Sequence, residues 1–165
     1  MSSPVVRNFM RQQGFGEEPA DACNMHFAGL YFQPRIVFPL VLLGILLQSA
    51  PIFLAVSAVL WWNVLAPALN PFEQAYNHFV ARPRGALPLA PAPGPRRFAQ
   101  AMAAAFTLAA GACLLQGWTV ASWVFQGFLV VAFSALLFGR FCLGAWVFHV
   151  LRGEVAFANS TLPWK

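Results

Sequence analysis

The segment FGRFCLGAWVFHV, residues 138–150, places three chemically capable side chains in an otherwise apolar run. Cys142 carries a thiol, which becomes a nucleophile and a redox group when it loses its proton. His149 carries an imidazole, which in its neutral form is a common axial ligand of haem. Arg140 carries a fixed positive charge, which inside a membrane marks either a paired site or the end of a spanning helix. The segment is therefore the first candidate site.

Each of these groups also has a structural interpretation, which we favour for two of them. At 1.5 Å per residue, Arg140 lies about 32 Å beyond Thr119 on a single helix, so it should anchor that helix at the interface. We expect His149 to be a hydrogen-bonded interfacial histidine, and ligation of haem or chlorophyll is the alternative. No cofactor is otherwise predicted.

The cysteines do not indicate a disulfide framework or a metal centre. Cys113 and Cys142 fall at opposite ends of the predicted membrane helices, whereas Cys23 and Cys142 share one side. The sequence CNMH at 23–26 supplies two of the four ligands that a zinc site needs, and no second pair accompanies it. We therefore predict no metal site and leave open a redox role for Cys142.

The composition indicates an integral membrane protein. Hydrophobic residues make up 59% of the chain and charged residues 9%, with a mean hydropathy of +0.64. Soluble domains average about 25% charged residues, so this chain has too few charges to cover a surface in water. Its arginines form no basic stripe, which argues against a nucleic-acid partner. It contains no Walker loop, GxSxG or HExxH motif, and we predict no enzyme activity.

The apolar segments predict an all-α membrane protein with four transmembrane helices in two hairpins. The apolar run 36–69 is tight for two spans, so the first hairpin need not cross fully. Short amphipathic interfacial helices accompany the spans on one side. The predicted spans are 35–49, 51–67, 98–116 and 119–151, and the interfacial helices are 4–13, 19–31 and 70–81. We divide the chain into an N-terminal segment 1–34, a membrane domain 35–152 with a connection 70–97, and a tail 153–165.

Positive charge predicts the orientation of these spans. Apart from Arg140, the ten Lys and Arg fall in or beside the N-terminal segment, the 70–97 connection and the tail. Because basic residues collect in cytoplasmic loops, we expect both termini and the connection in the cytoplasm of a bacterium, with the spans in its inner membrane. Arg96 and Arg97 would then anchor the third span at the interface.

Small and aromatic residues predict how the helices pack. Ala101, Ala105 and Ala109 recur at every fourth position, which favours close approach of a central helix to its neighbours. Large aromatics on the last helix offer a surface to partner subunits or pigment: Trp123, Phe125, Phe128, Phe133, Phe138 and Phe141, with Trp146 as a further interface residue. We favour a non-catalytic accessory subunit of a larger membrane complex, of respiratory or photosynthetic type, with the bilayer and other integral subunits as partners.

Two motifs resemble a known family. The segments PRRFAQ at 95–100 and FGRFCLGAWVF at 138–148 are similar to those of small bacterial membrane proteins catalogued as domain of unknown function 4395. Some relatives are associated with thioredoxin-like or rhodanese-like sulfur proteins, which implies thiol chemistry at the cysteines of a C-L-G-C motif. Cys142 matches the first cysteine, and Ala145 replaces the second. A dithiol switch needs both thiols, so the resemblance leaves Cys142 as a single thiol in a membrane thiol or sulfur-relay protein.

Overall fold

The computed structural model describes residues 4–15, 20–85 and 88–164, without the side chains of residues 20–25. All regular structure in these ranges is helical. The α-helices are α1 (Pro4–Gln12), α2 (Ala20–Leu47), α3 (Ala50–Leu65), α4 (Pro71–Tyr76), α5 (Gly94–Leu115), α6 (Thr119–Leu137), α7 (Leu143–Leu151) and α8 (Val155–Ser160). A 3₁₀ turn precedes α4, and a π turn and a second 3₁₀ turn follow it. The all-α prediction is confirmed.

Within the described residues, three helical stretches are long and apolar enough to cross a membrane. They are His26–Leu47, Gly94–Leu115 and Thr119–Leu137. The chain is therefore compatible with a multi-pass membrane protein. Helix α3 is apolar but has only 16 residues, and at 1.5 Å per residue it spans about 24 Å, less than the roughly 30 Å of a hydrocarbon core.

The turn between α2 and α3 lies at a different level from the turn between α5 and α6. Gln48, in the turn between α2 and α3, donates through Nε2 to Oε1 of Gln126 at 3.1 Å. Gln126 lies about 10 Å along α6 from Thr119, at 1.5 Å per residue. The α2–α3 turn therefore packs beside the body of α6 and not beside the turn at 116–118 that joins α5 to α6.

Helix α5 occupies the centre of the bundle, where it contacts α3, α6 and α7. Its buried small face consists of Ala104, Thr107, Ala110 and Gly111. A Cβ on Gly111 would lie 3.1 Å from side-chain atoms of Leu54 on α3, so glycine allows a close approach there. This buried face differs from the face that we predicted, which included Ala105, because Ala105 is exposed.

The predicted last helix, 119–151, is wrong because the chain breaks between α6 and α7. Arg140 adopts a left-handed conformation with φ of 51°, and the Phe141 amide donates back to the Ala135 carbonyl at 3.1 Å. This geometry ends α6 and redirects the chain. Helix α7 then packs closely on α5, since a Cβ on Gly144 would lie 2.7 Å from the Cα of Ala99.

The N-terminal part of the prediction also needs correction. Helix α2 runs continuously through Pro34 and Pro39, so the predicted interfacial helix 19–31 and the first span form one helix. Asn70 caps α4, because its Oδ1 accepts from the amides of Phe72 at 3.0 Å and Glu73 at 3.4 Å.

Candidate functional site

Cys142 lies at the start of α7 as its N-cap residue, with φ of −94° and ψ of 101°. Its backbone N–H donates to Oε1 of Gln12, at the end of α1, at 2.9 Å. Its thiol lies beside the Gln13 side chain and the backbone amides of Gly144 and Ala145. Only 7% of the residue is exposed. The break after α6 thus turns Cys142 from a mid-helix residue into a buried residue at a helix N-terminus.

Opposing effects act on the pKa of the Cys142 thiol. Burial raises its pKa, because the charged thiolate loses hydration. The Ala145 amide, the Gln13 side chain, the Arg96 charge and the Gly144 amide lower it. Burial has the larger effect, so the resting group is a neutral thiol. The surrounding donors stabilise a thiolate once one forms.

Arg96 is buried and does not anchor α5 at the surface as predicted. Only 5% of it is exposed, and its Nη2 lies 3.2 Å from Oε1 of Glu73 on α4. Burial raises the pKa of the Glu73 carboxyl, and the charge of Arg96 and its hydrogen bond oppose that shift. The pair ties the 70–97 connection to the start of α5, next to Cys142.

A cavity of about 120 Å³ extends from Cys142 between α2, α5 and α6. At the Cys142 end it is lined by four buried polar side chains, and elsewhere its walls are almost entirely apolar. The four are Gln13, Gln33, Arg96 and Gln100. Gln100 donates through Nε2 to Oε1 of Gln33 at 2.9 Å.

Two atoms at this end of the cavity lack a hydrogen-bond partner among the described residues. They are Nε of Arg96 and Oε1 of Gln100. Buried polar atoms in folded proteins nearly always have partners, so such a group indicates a site for water or a small polar ligand. The arrangement can bind a molecule that both accepts and donates hydrogen bonds next to a thiol.

His149 has both ring nitrogens engaged. Nδ1 lies 2.6 Å from Oε2 of Glu154, and Nε2 lies 3.2 Å from the carbonyl oxygen of Gln12. Ligation of haem or chlorophyll would have to break one of these contacts. The two contacts link α7 to α1 and to the start of the tail, and ligation by His149 stays a prediction.

The other two arginines that we predicted as anchors, Arg140 and Arg97, lie at the surface. Arg140 is exposed and places its guanidinium 5.8 Å from the ring centroid of Phe27. Arg97 is exposed and donates through Nη2 to the Val64 carbonyl near the end of α3 at 2.9 Å. Glu73 pairs with Arg96 and not with Arg140.

The aromatic residues of the predicted partner surface divide into three sets by exposure. Trp123 and Phe128 are 64% and 54% exposed. Phe133 is buried and stacks on Phe38 with ring centroids 5.6 Å apart, so it belongs to the core. Phe125 and Trp146 are half-buried. The exposed aromatic surface is therefore smaller than the surface that we predicted from all of these residues.

The glutamines around Cys142 were not identified as site residues from the sequence. Gln33 and Gln100 stand in or beside predicted membrane segments, where a polar side chain needs a partner. The sequence therefore contained a signal that could have identified Gln33 and Gln100. The role of Gln12 and Gln13 was not visible, because it depends on how α1 folds back onto α7.

Among the side chains that the structure describes, the cysteines and acidic residues do not cluster as metal ligands. Within the described residues, no group of three or more His, Cys, Asp or Glu could hold a metal ion. Cys113 and Cys142 are buried free thiols. The side chain of Cys23 lies outside the described residues, so its predicted proximity to Cys142 stays a prediction.

Comparison with known proteins finds one family. A family model described as Domain of unknown function (DUF4395) matches residues 28–152, a range that contains α3 to α7, most of α2 and Cys142. No curated protein and no solved structure matches the chain.

Proposed function

The chain belongs to the DUF4395 family, and from that premise we propose that it is a membrane sulfur-relay protein in which Cys142 carries the sulfur. One observation supports the proposal most strongly. The Cys142 thiol lines a cavity together with two buried side chains that have unpartnered polar atoms among the described residues, Arg96 and Gln100. A cysteine that served only packing would not need polar neighbours of this kind.

A sulfur relay needs only one thiol. The Cys142 thiolate attacks the outer sulfur of a hydropersulfide, R–S–SH. A new S–S bond forms on Cys142, the S–S bond of the donor breaks, and R–S⁻ takes up the proton that Cys142 released. The products are Cys142–S–SH and R–SH, with no external oxidant. Ala145 in place of a second cysteine therefore excludes a local dithiol switch and permits this transfer.

The residues around Cys142 have distinct roles in this proposal. The amides of Gly144 and Ala145 and the charge of Arg96 stabilise the attacking thiolate, since all three lower the thiol pKa. Gln13 also lowers the thiol pKa through its side-chain hydrogen bond, and Gln100 positions the donor through its unpartnered Oε1 atom. Glu73 holds the Arg96 side chain beside the thiol.

Intact-mass spectrometry tests the proposal. The purified protein is incubated with a low-molecular-weight hydropersulfide and its mass is compared with that of Cys142→Ser and the matched control Cys113→Ser. We expect the wild type and Cys113→Ser to gain one sulfur atom, and Cys142→Ser to gain none. Equal gain in all three proteins, or no gain in the wild type, would overturn the proposal.

The second candidate is the accessory subunit. It is favoured by the outward face of α6, where Val120, Trp123, Phe128 and Val131 are each more than half exposed. Native gels of membranes extracted in mild detergent test it. Co-migration with a larger complex that is lost in Trp123→Ala/Phe128→Ala would support it. A protein that is monomeric in every mild detergent would contradict it.

For the membrane arrangement, we propose four membrane-embedded helices, α2, α3, α5 and α6, with both termini in the cytoplasm of a bacterium and the helices in its inner membrane. The clustering of α1, α4 and the tail around Cys142 and Arg96 supports one common side for them. Fluorescent-protein and alkaline-phosphatase fusions at residue 165 test the side. Fluorescence without phosphatase activity is expected, and the reverse would contradict the orientation.

A further inference from the structure

The cavity at Cys142 reaches well into the level of the membrane-spanning helices. Along α5 its walls extend from Arg96 to Phe106, which is about 15 Å at 1.5 Å per residue. On α6 they include Phe128, near the middle of the span Thr119–Leu137. The two phenylalanines stack with ring centroids 5.8 Å apart. Because Phe128 is 54% exposed, this end of the cavity lies at the outer face of α6.

The opposite end of the cavity is covered by α1. Phe9 and Met10 are each 2% exposed, and Gln12 and Gln13 are 0% and 3% exposed. Phe9, Met10 and Cys142 belong to one buried cluster. Gln12 also holds the start of α7 through the Cys142 amide. A molecule dissolved in water on the side of α1 would therefore have to displace that helix to reach the thiol.

The apolar walls of the cavity disfavour charged ligands. Apart from the polar end, the lining consists of aliphatic and aromatic side chains such as Val37, Leu60, Leu129 and Phe133. An ion that passed these walls would lose its hydration without gaining a partner. The volume of about 120 Å³ is well above the roughly 10–15 Å³ that one water molecule needs, so a small organic molecule is the fitting occupant.

We propose that Cys142 is reached from within the bilayer, through the cavity between α2, α5 and α6, by small uncharged sulfur compounds with an apolar body. This inference rests on the proposed function, because it names the class of sulfur donor for the same thiol. The neutral hydropersulfide group fits the polar end. Its S–H donates to Oε1 of Gln100, and its sulfurs accept from Nε of Arg96, the two atoms without a partner among the described residues.

Two thiol reagents of the same chemistry distinguish the routes. Benzyl methanethiosulfonate is neutral and enters lipid, whereas sulfonatoethyl methanethiosulfonate is an anion that stays in water. Both form a mixed disulfide with a thiolate and release methanesulfinate. The protein, with Cys23→Ser and Cys113→Ser so that Cys142 is the only thiol, is placed in phospholipid vesicles and its mass is followed over time. We expect the neutral reagent to react at least about tenfold faster, after correction for reactivity with a free thiol, because the anion must be desolvated.

A cavity-filling variant and its control identify the path. Ala132 lines the cavity and Ala105 is exposed on α5 outside its lining. Ala132→Phe should slow the neutral reagent, whereas Ala105→Phe should leave its rate unchanged. Size-exclusion elution of both variants checks that they are folded.

The experiment distinguishes failure of access from the bilayer from failure of the sulfur relay. A rate with the anionic reagent equal to or above that of the neutral one would overturn access from the bilayer and leave the sulfur relay standing. Equal slowing by Ala132→Phe and Ala105→Phe would also overturn the path. A thiol that reacts with neither reagent in vesicles, and with both after denaturation, would overturn this inference and the thiol function together.

Discussion

Oε1 of Gln12 accepts a hydrogen bond from the backbone N–H of Cys142 at 2.9 Å, joining the end of α1 to the start of α7. Helix N-termini leave backbone N–H groups unpaired, and these are usually capped by a nearby side chain. Here the acceptor comes from a residue far away in the sequence. The cap of α7, the cover over the thiol and the position of α1 therefore depend on one another.

Removal of this cap should destabilise the protein. Gln12 is fully buried, so Gln12→Ala leaves the Cys142 amide without its acceptor and should cost about 1–3 kcal/mol. Thermal unfolding in detergent, followed by circular dichroism, measures the change. Gln116→Ala, at an exposed position after α5, is the control and should unfold like the wild type. Equal midpoints for wild type and Gln12→Ala would contradict the structural role of the contact.

The pair of Arg96 and Glu73 should be sensitive to loss of one partner. Arg96→Met leaves the Glu73 carboxyl buried without its cation and should cost about 3–5 kcal/mol. The double variant Arg96→Met/Glu73→Met removes both charges and should recover much of that loss. Arg97→Met, which changes an exposed side chain, should cost far less. If Arg96→Met and Arg97→Met unfold at the same denaturant concentration, the buried pair does not stabilise the fold.

The contact between His149 and Glu154 should make stability depend on pH on the acid side. The hydrogen bond from His149 is the main cause of a lowered pKa for the Glu154 carboxyl, whose usual value is 4.5. The folded state therefore favours the carboxylate. The resulting stabilisation is present above pH 4.5 and is lost as the pH falls through the lower folded-state pKa.

Unfolding midpoints measured as a function of pH check this effect. Glu154→Gln should show a smaller loss of stability below pH 4.5 than the wild type. His149→Gln should show the same reduced dependence, because it removes the donor that lowers the carboxyl pKa. Identical acid profiles for the wild type and both variants would show that this pair does not contribute.

Two phenylalanines of α6, Phe128 and Phe133, allow a surface position to be compared with a core position. Phe133 is 7% exposed and stacks on Phe38, whereas Phe128 is 54% exposed. Phe133→Ala should destabilise the protein by about 3–5 kcal/mol through the cavity it creates. Phe128→Ala should cost clearly less, because much of its side chain already lies outside the core. Unfolding experiments on both variants measure the difference, and equal losses would contradict the assignment.

The sequence predicted the helical class and the apolar segments because both follow from local composition. The long apolar runs and the Asn70 cap need no information about the rest of the fold. The break after α6 was missed because Gly139 and Arg140 sit in an apolar run that reads as one helix. Its cause is a left-handed residue and a close packing of Gly144 on Ala99, which only the three-dimensional arrangement shows.

The candidate site was predicted in part. Cys142 and His149 were singled out from the sequence, but their neighbours come from other helices. Gln12 contacts both of them, although about 130 residues separate it from Cys142. Arg96 looked like an interfacial anchor because arginines at helix starts usually are. Its burial depends on Glu73, whose inward orientation is set by how the 70–97 connection packs.

The most direct test of the central claim follows labelled sulfur in native membranes. Membranes that contain the full chain are exposed to a neutral hydropersulfide carrying a sulfur isotope, and peptides containing Cys142 and Cys113 are compared by mass spectrometry. The account predicts labelled persulfide on Cys142, none on Cys113, and loss of the label when a thiol acceptor is added. Absence of label on Cys142, or equal label on both cysteines, would contradict a sulfur relay at this site.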